Sequence, residues 1–272
     1  MKKLIALLLA ALMVCSFAAC TNTPSNESTA PSTEATTPST EDTTPSTEAT
    51  GDEVKVMTHE EFIAAEENTV VTVETYVQAK QSWWDNKATI YTQAEDGAYF
   101  LYSLPCTEDL YEKLTVGTKI RVTGIKGSYK GEIEIMSDAM EPATIEIIEG
   151  SWTATATDVT ALLDSEDLIK HQNEFVSFKG MTVEAIKNAD GKESAFLYNW
   201  DGSGEDGNDL YFNVSVNGNT YTFTVESYLT GKGTDVYEAV KALKVGDKID
   251  MEGFLYWYDG VNPHITSVKP AA

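Results

Sequence analysis

Residues 114–131 read LTVGTKIRVTGIKGSYKG, and residues 243–260 read LKVGDKIDMEGFLYWYDG. Aligned end to end, the two stretches are identical at eight positions. Unrelated stretches of ordinary composition would share about one residue. In each copy a Val-Gly pair precedes alternating polar and apolar residues, a pattern typical of a turn that leads into a half-buried strand. The chain therefore contains one structural unit twice.

Similar alternation extends on either side of the first copy. It predicts strands that include residues 71–79, 119–122 and 132–135. Thr58 and Glu61 have the spacing of a capping box, in which each side chain bonds the backbone N–H of the other residue. This box predicts a short helix over 60–67, with Phe62 and Ile63 facing the core.

The order of elements is three strands, a helix over 107–114 and a closing hairpin, and the second half repeats it. This order resembles the OB-fold, a five-stranded Greek-key barrel. The helix-then-strand openings Thr58–Thr75 and Asp158–Gly180 and the Leu-x-Val-Gly-x-Lys-Ile segments also resemble OB modules of secreted nucleases and surface lipoproteins of Gram-positive bacteria. We therefore predict a mainly β chain with two tandem OB-fold-like barrels, each carrying short helices, after a disordered stalk.

Domain boundaries follow from this plan, with domain 1 at 54–150 and domain 2 at 151–272. The second domain departs from the repeat between 201 and 220. We expect a Gly/Asp-rich loop here, followed by an inserted extra strand, Leu210–Val216. The dipeptide Asn217-Gly218 then predicts a tight hairpin turn.

The N-terminus has the pattern of a secretory signal peptide over residues 1–19. Two lysines precede an apolar run, Leu4–Val14, that is too short for a confident membrane-spanning helix. The run leads to Ala18-Ala19-Cys20 and resembles a bacterial lipobox. The resemblance implies a lipid on Cys20 and a place on the extracytoplasmic face of the cell membrane. The alternative is ordinary secretion, with Cys20 unmodified.

Between Cys20 and the first domain, the segment 20–53 is rich in Thr, Ser, Pro and Glu. Three seven-residue copies follow one another over 30–50, each with one proline and no large apolar residue. Proline and regularly spaced acids favour an extended, semi-rigid linker. At about 3.1 Å per residue the linker would reach roughly 100 Å.

Charge and motif content limit the possible functions. The chain carries a formal charge of −24, with 19 basic and 43 acidic residues. This balance argues against duplex DNA as a partner, because Lys and Arg side chains supply most of a protein's affinity for duplex DNA. The three histidines lack metal-site spacing, and no catalytic motif appears, so we predict no enzyme and no catalytic residue. Once Cys20 is lipidated, Cys106 has no disulfide partner, and we expect it to be packed.

Aromatic residues are the best candidates for ligand contact. Trp83 and Trp84 lie between the first two strands, and we place Tyr129 and Lys130 across the groove from them. The second domain offers a corresponding group before its last turn, formed by Tyr256, Trp257 and Tyr258. Aromatic rings stack on sugars and on unpaired bases. The alternative is that these rings cap a barrel or pack between the domains.

A candidate calcium site lies in the loop of the second domain. Oxygen-bearing residues alternate there with glycines, a pattern that can surround a hard cation; they are Asp201, Ser203, Glu205, Asp206 and Asp209. The loop is not an EF-hand, because Leu210 stands where a bidentate Glu belongs. The alternative is a solvated loop without a metal.

Together these features predict a lipid-anchored binding protein for an oligosaccharide or a short single-stranded oligonucleotide. A protein-interaction or scaffolding role at the cell surface, without a small ligand, is the alternative. No cofactor is expected apart from calcium.

Overall fold

Five strands close into a barrel in the first half of the chain. The computed structural model describes residues 54–271. The elements of this half are α1 (His59–Ala64), β1 (Val70–Lys80), β2 (Lys87–Ala94), β3 (Gly97–Pro105), α2 (Glu108–Lys113), β4 (Thr118–Tyr129), β5 (Glu132–Met136) and β6 (Thr144–Ser151). Strands pair in the order β1-β2-β3-β5-β4, and β4 pairs again with β1. β6 continues the sheet beside β4.

The register of these pairs places alternate side chains in the barrel core. Val73 lies opposite Val122 in the β1–β4 pair, and Leu101 lies opposite Ile135 in the parallel β3–β5 pair. All four side chains are fully buried. Period-two alternation therefore identified the inward face of β1, β4 and β5, as the sequence predicted.

The second half builds the same barrel. Its elements are β7 (Thr157–Asp158), two 3₁₀ helices (Thr160–Leu162 and Glu166–His171), β8 (Phe175–Glu184), β9 (Ile186–Lys187), β10 (Glu193–Ser194), β11 (Leu197–Tyr198), β12 (Leu210–Val216), β13 (Asn219–Val225), α3 (Ser227–Thr230), α4 (Asp235–Lys241), β14 (Lys248–Phe254) and β15 (His264–Pro270). The closed order is β8-β12-β13-β15-β14, with β14 pairing back to β8. Both halves thus have the strand order of an OB-fold, and the predicted fold class is confirmed.

One expectation about the second barrel was wrong. Leu210–Val216 is a strand and turns at Asn217-Gly218, where both residues have positive φ, as predicted. This strand is not an extra one, however. It pairs with both β8 and β13, and it is the second strand of the barrel. The inserted material is the stretch before it, which contains the two-residue strands β9, β10 and β11. Because the Gly/Asp-rich loop precedes it, the sequence did not show that Leu210–Val216 is the equivalent of β2.

Glycines that the two repeats share have a structural cause. A Cβ on Gly253 would lie 2.2 Å from the carbonyl oxygen of His264, and one on Gly124 would lie 2.8 Å from that of Met136. Both glycines therefore sit where the hairpin partner strand approaches too closely for any side chain. The two repeats therefore share these glycines because paired strands approach closely at the same place in both barrels.

The helices largely follow the predictions. Thr58 and Glu61 form the predicted capping box, although α1 is shorter than expected. Phe62 is buried, but Ile63 is exposed, so its predicted inward position was wrong. Consecutive side chains of an α-helix point about 100° apart, so the residue after an inward Phe62 turns away from the core. Cys106 is buried and has a free thiol.

The predicted signal peptide, Cys20 and the predicted linker over 20–53 lie outside the described residues. Among residues 54–271, no helix combines the length and apolar character needed to cross a bilayer.

Candidate ligand-binding site

The outer surface of the first barrel carries an unexpected apolar face. Tyr91 on β2 pairs with Phe100 on β3, which in turn pairs with Glu134 on β5. Their neighbours Ile90 and Leu101 point into the core. These three residues therefore point outward, yet they are almost completely buried. Another part of the chain must cover this face.

The second barrel provides the cover. The Phe254 ring stacks on the Tyr91 ring with centroids 4.6 Å apart, and the edge of Tyr256 meets Phe100 at 5.3 Å. The Tyr256 ring also stacks on His264 at 4.3 Å. We call this contact between the two barrels the seam. In OB-folds the surface of strands two and three is a usual binding face, and in this barrel the seam occupies it.

Burial sets the protonation of the seam. It lowers the pKa of His264 to about 3, and it raises the pKa of Tyr91 well above its ordinary value. His264 is therefore a neutral imidazole, and its Nδ1 shares a hydrogen bond of 2.6 Å with the Tyr91 hydroxyl. Beside it, the Phe175 N–H donates to Gln93 Oε1 at 2.8 Å.

Two carboxyl groups lie within the seam. Burial raises the pKa of Glu132 to about 8 and that of Glu134 to about 7. Glu132 Oε2 accepts the Trp257 N–H at 2.8 Å, and on the same edge Gln172 Nε2 donates to the carbonyl of Gly131 at 2.8 Å. The seam is therefore a packed interface held by specific hydrogen bonds.

An open cleft lies at one edge of the seam, with a volume of about 310 Å³. Three exposed aromatic side chains surround it: Trp84, Tyr102 and Tyr228, at 79%, 51% and 65% exposure. Trp84 and Tyr102 belong to the first barrel, and Tyr228 belongs to α3 of the second. We call this site the aromatic cleft. Exposed aromatic rings that converge on one cleft are typical of a binding surface.

Backbone hydrogen bonds hold each ring in place. Trp84 and Lys87 exchange two backbone bonds across a tight turn, in which Asp85 and Asn86 both have positive φ. The carbonyl of Tyr228 accepts the Ser82 N–H at 2.8 Å, which ties α3 to the loop between β1 and β2. The rings therefore project from a supported backbone.

Neutral polar groups complete the lining of the aromatic cleft. They are supplied by Gln81, Thr89 and Ser103, while Lys87 adds one cation. The Ser103 N–H donates to Thr89 Oγ1 at 3.1 Å, which orients that hydroxyl. The site can therefore stack a flat or ring-shaped apolar surface and offer hydrogen bonds around its rim.

The sequence analysis placed only part of this site correctly. Trp84 is exposed as expected, but Trp83 is half-buried and its indole N–H donates to the Cys106 carbonyl at 2.9 Å. Tyr129 and Lys130 do not line the cleft in the described part of the chain. Expecting them across from the tryptophans was an error of position, because the β4–β5 turn reaches the other barrel.

Tyr129 and Lys130 instead meet the aromatic group of the second barrel. The Tyr129 ring lies edge-on to Tyr258 at 6.0 Å, and Lys130 Nζ lies 2.7 Å from Asp259 Oδ2. Trp257 lies beside the same turn, since a Cβ on Gly131 would lie 3.0 Å from its ring. With Tyr256 in the seam, this group packs between the barrels, which was the alternative reading of the sequence.

The carboxylates proposed for calcium have other partners. Asp206 bonds Lys232 at 2.7 Å and Lys241 at 2.9 Å, and these ammonium groups lower its pKa to about 2. Asp201 accepts the backbone N–H of Ser203, and Asp209 accepts that of Ser227. Glu205 is exposed. Over residues 54–271, no three His, Cys, Asp or Glu side chains are grouped so that they could hold a metal.

Sequence reasoning missed Tyr102 and Tyr228. Tyr102 shares the outward face of β3 with Phe100, so alternation along β3 carried a signal for it. Tyr228 enters the site only because the barrels dock, and no local pattern could have indicated it.

Comparisons with known proteins give only distant similarities. The sequence matches no family model and no curated protein. Among solved structures, the Ifi202 HINa domain in complex with 20-bp double-stranded DNA is 14% identical in sequence, with a TM-score of 0.33. The match covers 75% of this chain and 99% of the HINa domain. The p204 HINb domain is 12% identical, with a TM-score of 0.35, and covers 76% and 99%.

A replication protein A heterotrimer bound to single-stranded DNA is 12% identical, with a TM-score of 0.31. It covers 76% of this chain and 49% of its own.

Proposed function

We propose that this protein is a lipid-anchored, extracytoplasmic binding protein that takes a neutral oligosaccharide in the aromatic cleft. The observation that carries the proposal is the convergence of Trp84, Tyr102 and Tyr228 from two barrels on one open cleft. The apolar faces of sugar rings stack on aromatic side chains, and sugar hydroxyls need neutral donors and acceptors of the kind that Gln81 and Ser103 offer.

Charge favours a sugar over an oligonucleotide in this cleft. Lys87 is the one cation among its described lining residues, and the whole chain has a formal charge of −24. Single-stranded nucleic-acid sites combine stacking rings with a basic groove that follows the backbone. A neutral ligand avoids the repulsion that phosphates would meet near this protein.

The location rests on the sequence pattern at residues 1–53. A lipid on Cys20 would anchor the chain, and the linker would carry the barrels away from the membrane surface. We infer binding without catalysis, because the described lining of the aromatic cleft holds no His, Cys, Asp or Glu to act as a general base or an activated nucleophile.

The cleft is tested by the substitution Trp84→Ala in the full-length protein. Loss of one stacking ring is worth about 1–3 kcal/mol, so affinity for a neutral oligosaccharide should fall roughly 5- to 150-fold. The measurement is titration calorimetry with hits from an array of neutral glycans and single-stranded oligonucleotides. Trp200→Ala is the matched control, because Trp200 is 75% exposed in the inserted loop, outside the cleft.

Equal losses for the two tryptophan variants would contradict the site. Oligonucleotide binding that weakens steeply with salt would show that the ligand is a nucleic acid and not a sugar. Silence on both arrays would favour a protein partner, and release of cleaved glycan would show an enzyme.

The anchor is tested by Cys20→Ala. Since a thioether-linked lipid needs the cysteine sulfur, this variant should leave the membrane fraction or accumulate as an uncleaved precursor. Cell fractionation and mass measurement of the protein provide the readout. Cys106→Ala is the control for loss of a cysteine, and it should remain membrane-bound. A Cys20→Ala protein that still fractionates with membranes in processed form would exclude the lipid anchor.

A further inference from the structure

Two buried oxygens in the seam lack a hydrogen-bond partner. They are Glu132 Oε1 in the first barrel and Asn173 Oδ1 in the second. The other atoms of both groups are engaged: Oε2 of Glu132 accepts the Trp257 N–H at 2.8 Å, and Nδ2 of Asn173 donates to the Ile133 carbonyl at 3.1 Å. The Asn173 side chain is itself within hydrogen-bonding reach of the Glu132 carboxyl.

An ionised Glu132 would leave this arrangement short of one hydrogen. A carboxylate only accepts hydrogen bonds, and so does an amide oxygen. A protonated carboxyl supplies the missing donor, and it removes the cost of a buried charge. We propose that Glu132 carries a proton when the barrels are docked, and that loss of this proton at alkaline pH opens the seam.

No cation faces Glu132 from the described elements around it. The titratable groups there are Glu134 on the same strand, Tyr91 on β2, Tyr256 and Tyr258 from the second barrel, the His171–Glu174 pair at the end of the 3₁₀ helix, and the Lys130–Asp259 pair at the exposed turn. Lys130 is already paired with the Asp259 carboxylate. Burial raises the pKa of Glu132 to about 8, against the opposing effect of the Trp257 backbone N–H and of the nearby Asn173 side chain.

The direction of the pH effect follows from linkage. Glu132 has a pKa of about 8 in the docked seam and its ordinary value of 4.5 when exposed. Between these values the docked state holds a proton that the open state has lost, so docking weakens as pH rises. The contribution of this proton to docking is complete below about pH 4.5 and is lost above about pH 8.

The test is Glu132→Gln in the full-length protein, followed by hydrogen exchange at seam amides. Glutamine keeps the acceptor for Trp257 and supplies a permanent N–H, so it mimics the protonated carboxyl. In the wild type, protection of the backbone amides at 257–259 should fall roughly 10- to 100-fold more than in Glu132→Gln between about pH 6 and pH 9. Comparison of the two proteins at each pH cancels the intrinsic pH dependence of exchange.

Two further variants define the result. Glu149→Gln, at an exposed position of β6, should behave as the wild type. The proposal would be overturned if amide protection in the wild type and in Glu132→Gln depended equally on pH. It would also be overturned if the pH dependence of protection were lost in Glu134→Gln alone. If Glu132→Gln does not fold, carboxyl ¹³C titration of Glu-labelled Glu134→Gln decides the matter. A carboxyl that titrates near pH 8 supports the proposal, and its absence overturns it.

This proposal concerns the seam and needs no ligand, so it can fail while the aromatic cleft still binds sugar. If both hold, binding becomes pH-dependent, because Tyr228 reaches the cleft from the second barrel.

Discussion

Lys126 is an unusual cation for the interior of a small barrel. Its side chain is almost fully buried, and Nζ donates 2.6 Å hydrogen bonds to the carbonyls of Ile63 and Ala65 at the end of α1. Carbonyls at a helix C-terminus have no partner within the helix, so a cation there satisfies them and interacts favourably with the helix dipole. Burial lowers the pKa of Lys126, and the nearby Glu67 carboxylate opposes this shift.

The substitution Lys126→Met tests this capping role. Methionine keeps the apolar stem but leaves two buried carbonyls without a donor, and hydrogen bonds to charged groups are worth about 1.5–3 kcal/mol. The free energy of unfolding from urea titration should therefore fall by about 2–3 kcal/mol. Lys113→Met, at an exposed position at the end of α2, is the control and should change little. A loss of similar size in both variants would refute the capping role.

At the scale of elements, the barrels could be read from the sequence and the seam could not. The alternation in β1, β4 and β5 marks an apolar inward face and a polar outer face, and the repeated glycines mark the close approach of paired strands. β2 and β3 behave differently, since runs such as Thr89–Tyr91 and Ala98–Leu101 are apolar or buried on both faces. Near-continuous apolar runs indicate burial from both sides. They therefore signalled a covered outer face, but not what covers it.

The candidate site shows the same limit. Exposure of Trp84 follows from its place beside a two-residue turn, which local sequence indicates. Tyr228 joins Trp84 only through docking of α3 on the loop before β2, a contact between residues 146 positions apart. Partners at such separation leave no periodic pattern in either segment. The half of the site that depends on tertiary contact was therefore beyond sequence reasoning.

At the scale of the whole molecule, the seam should make the two barrels unfold together. Both barrels belong to one compact unit, and their separation would expose Tyr91, Phe100 and Phe254 to water. Burial of one large aromatic side chain is worth about 1.5–3 kcal/mol, so these three rings alone couple the barrels by several kcal/mol.

Pulsed hydrogen exchange in urea can follow each barrel separately, through peptides from β1 and β4 and from β12 and β13. In the wild type, both sets should lose protection at one urea concentration. Phe254→Ala removes the ring stacked on Tyr91, so the two midpoints should separate. Phe212→Ala also deletes a buried ring, but within the second core, and it should lower both midpoints together because the seam is intact. Two separate midpoints in the wild type would contradict the coupling, and the seam would then be a contact between barrels that fold independently.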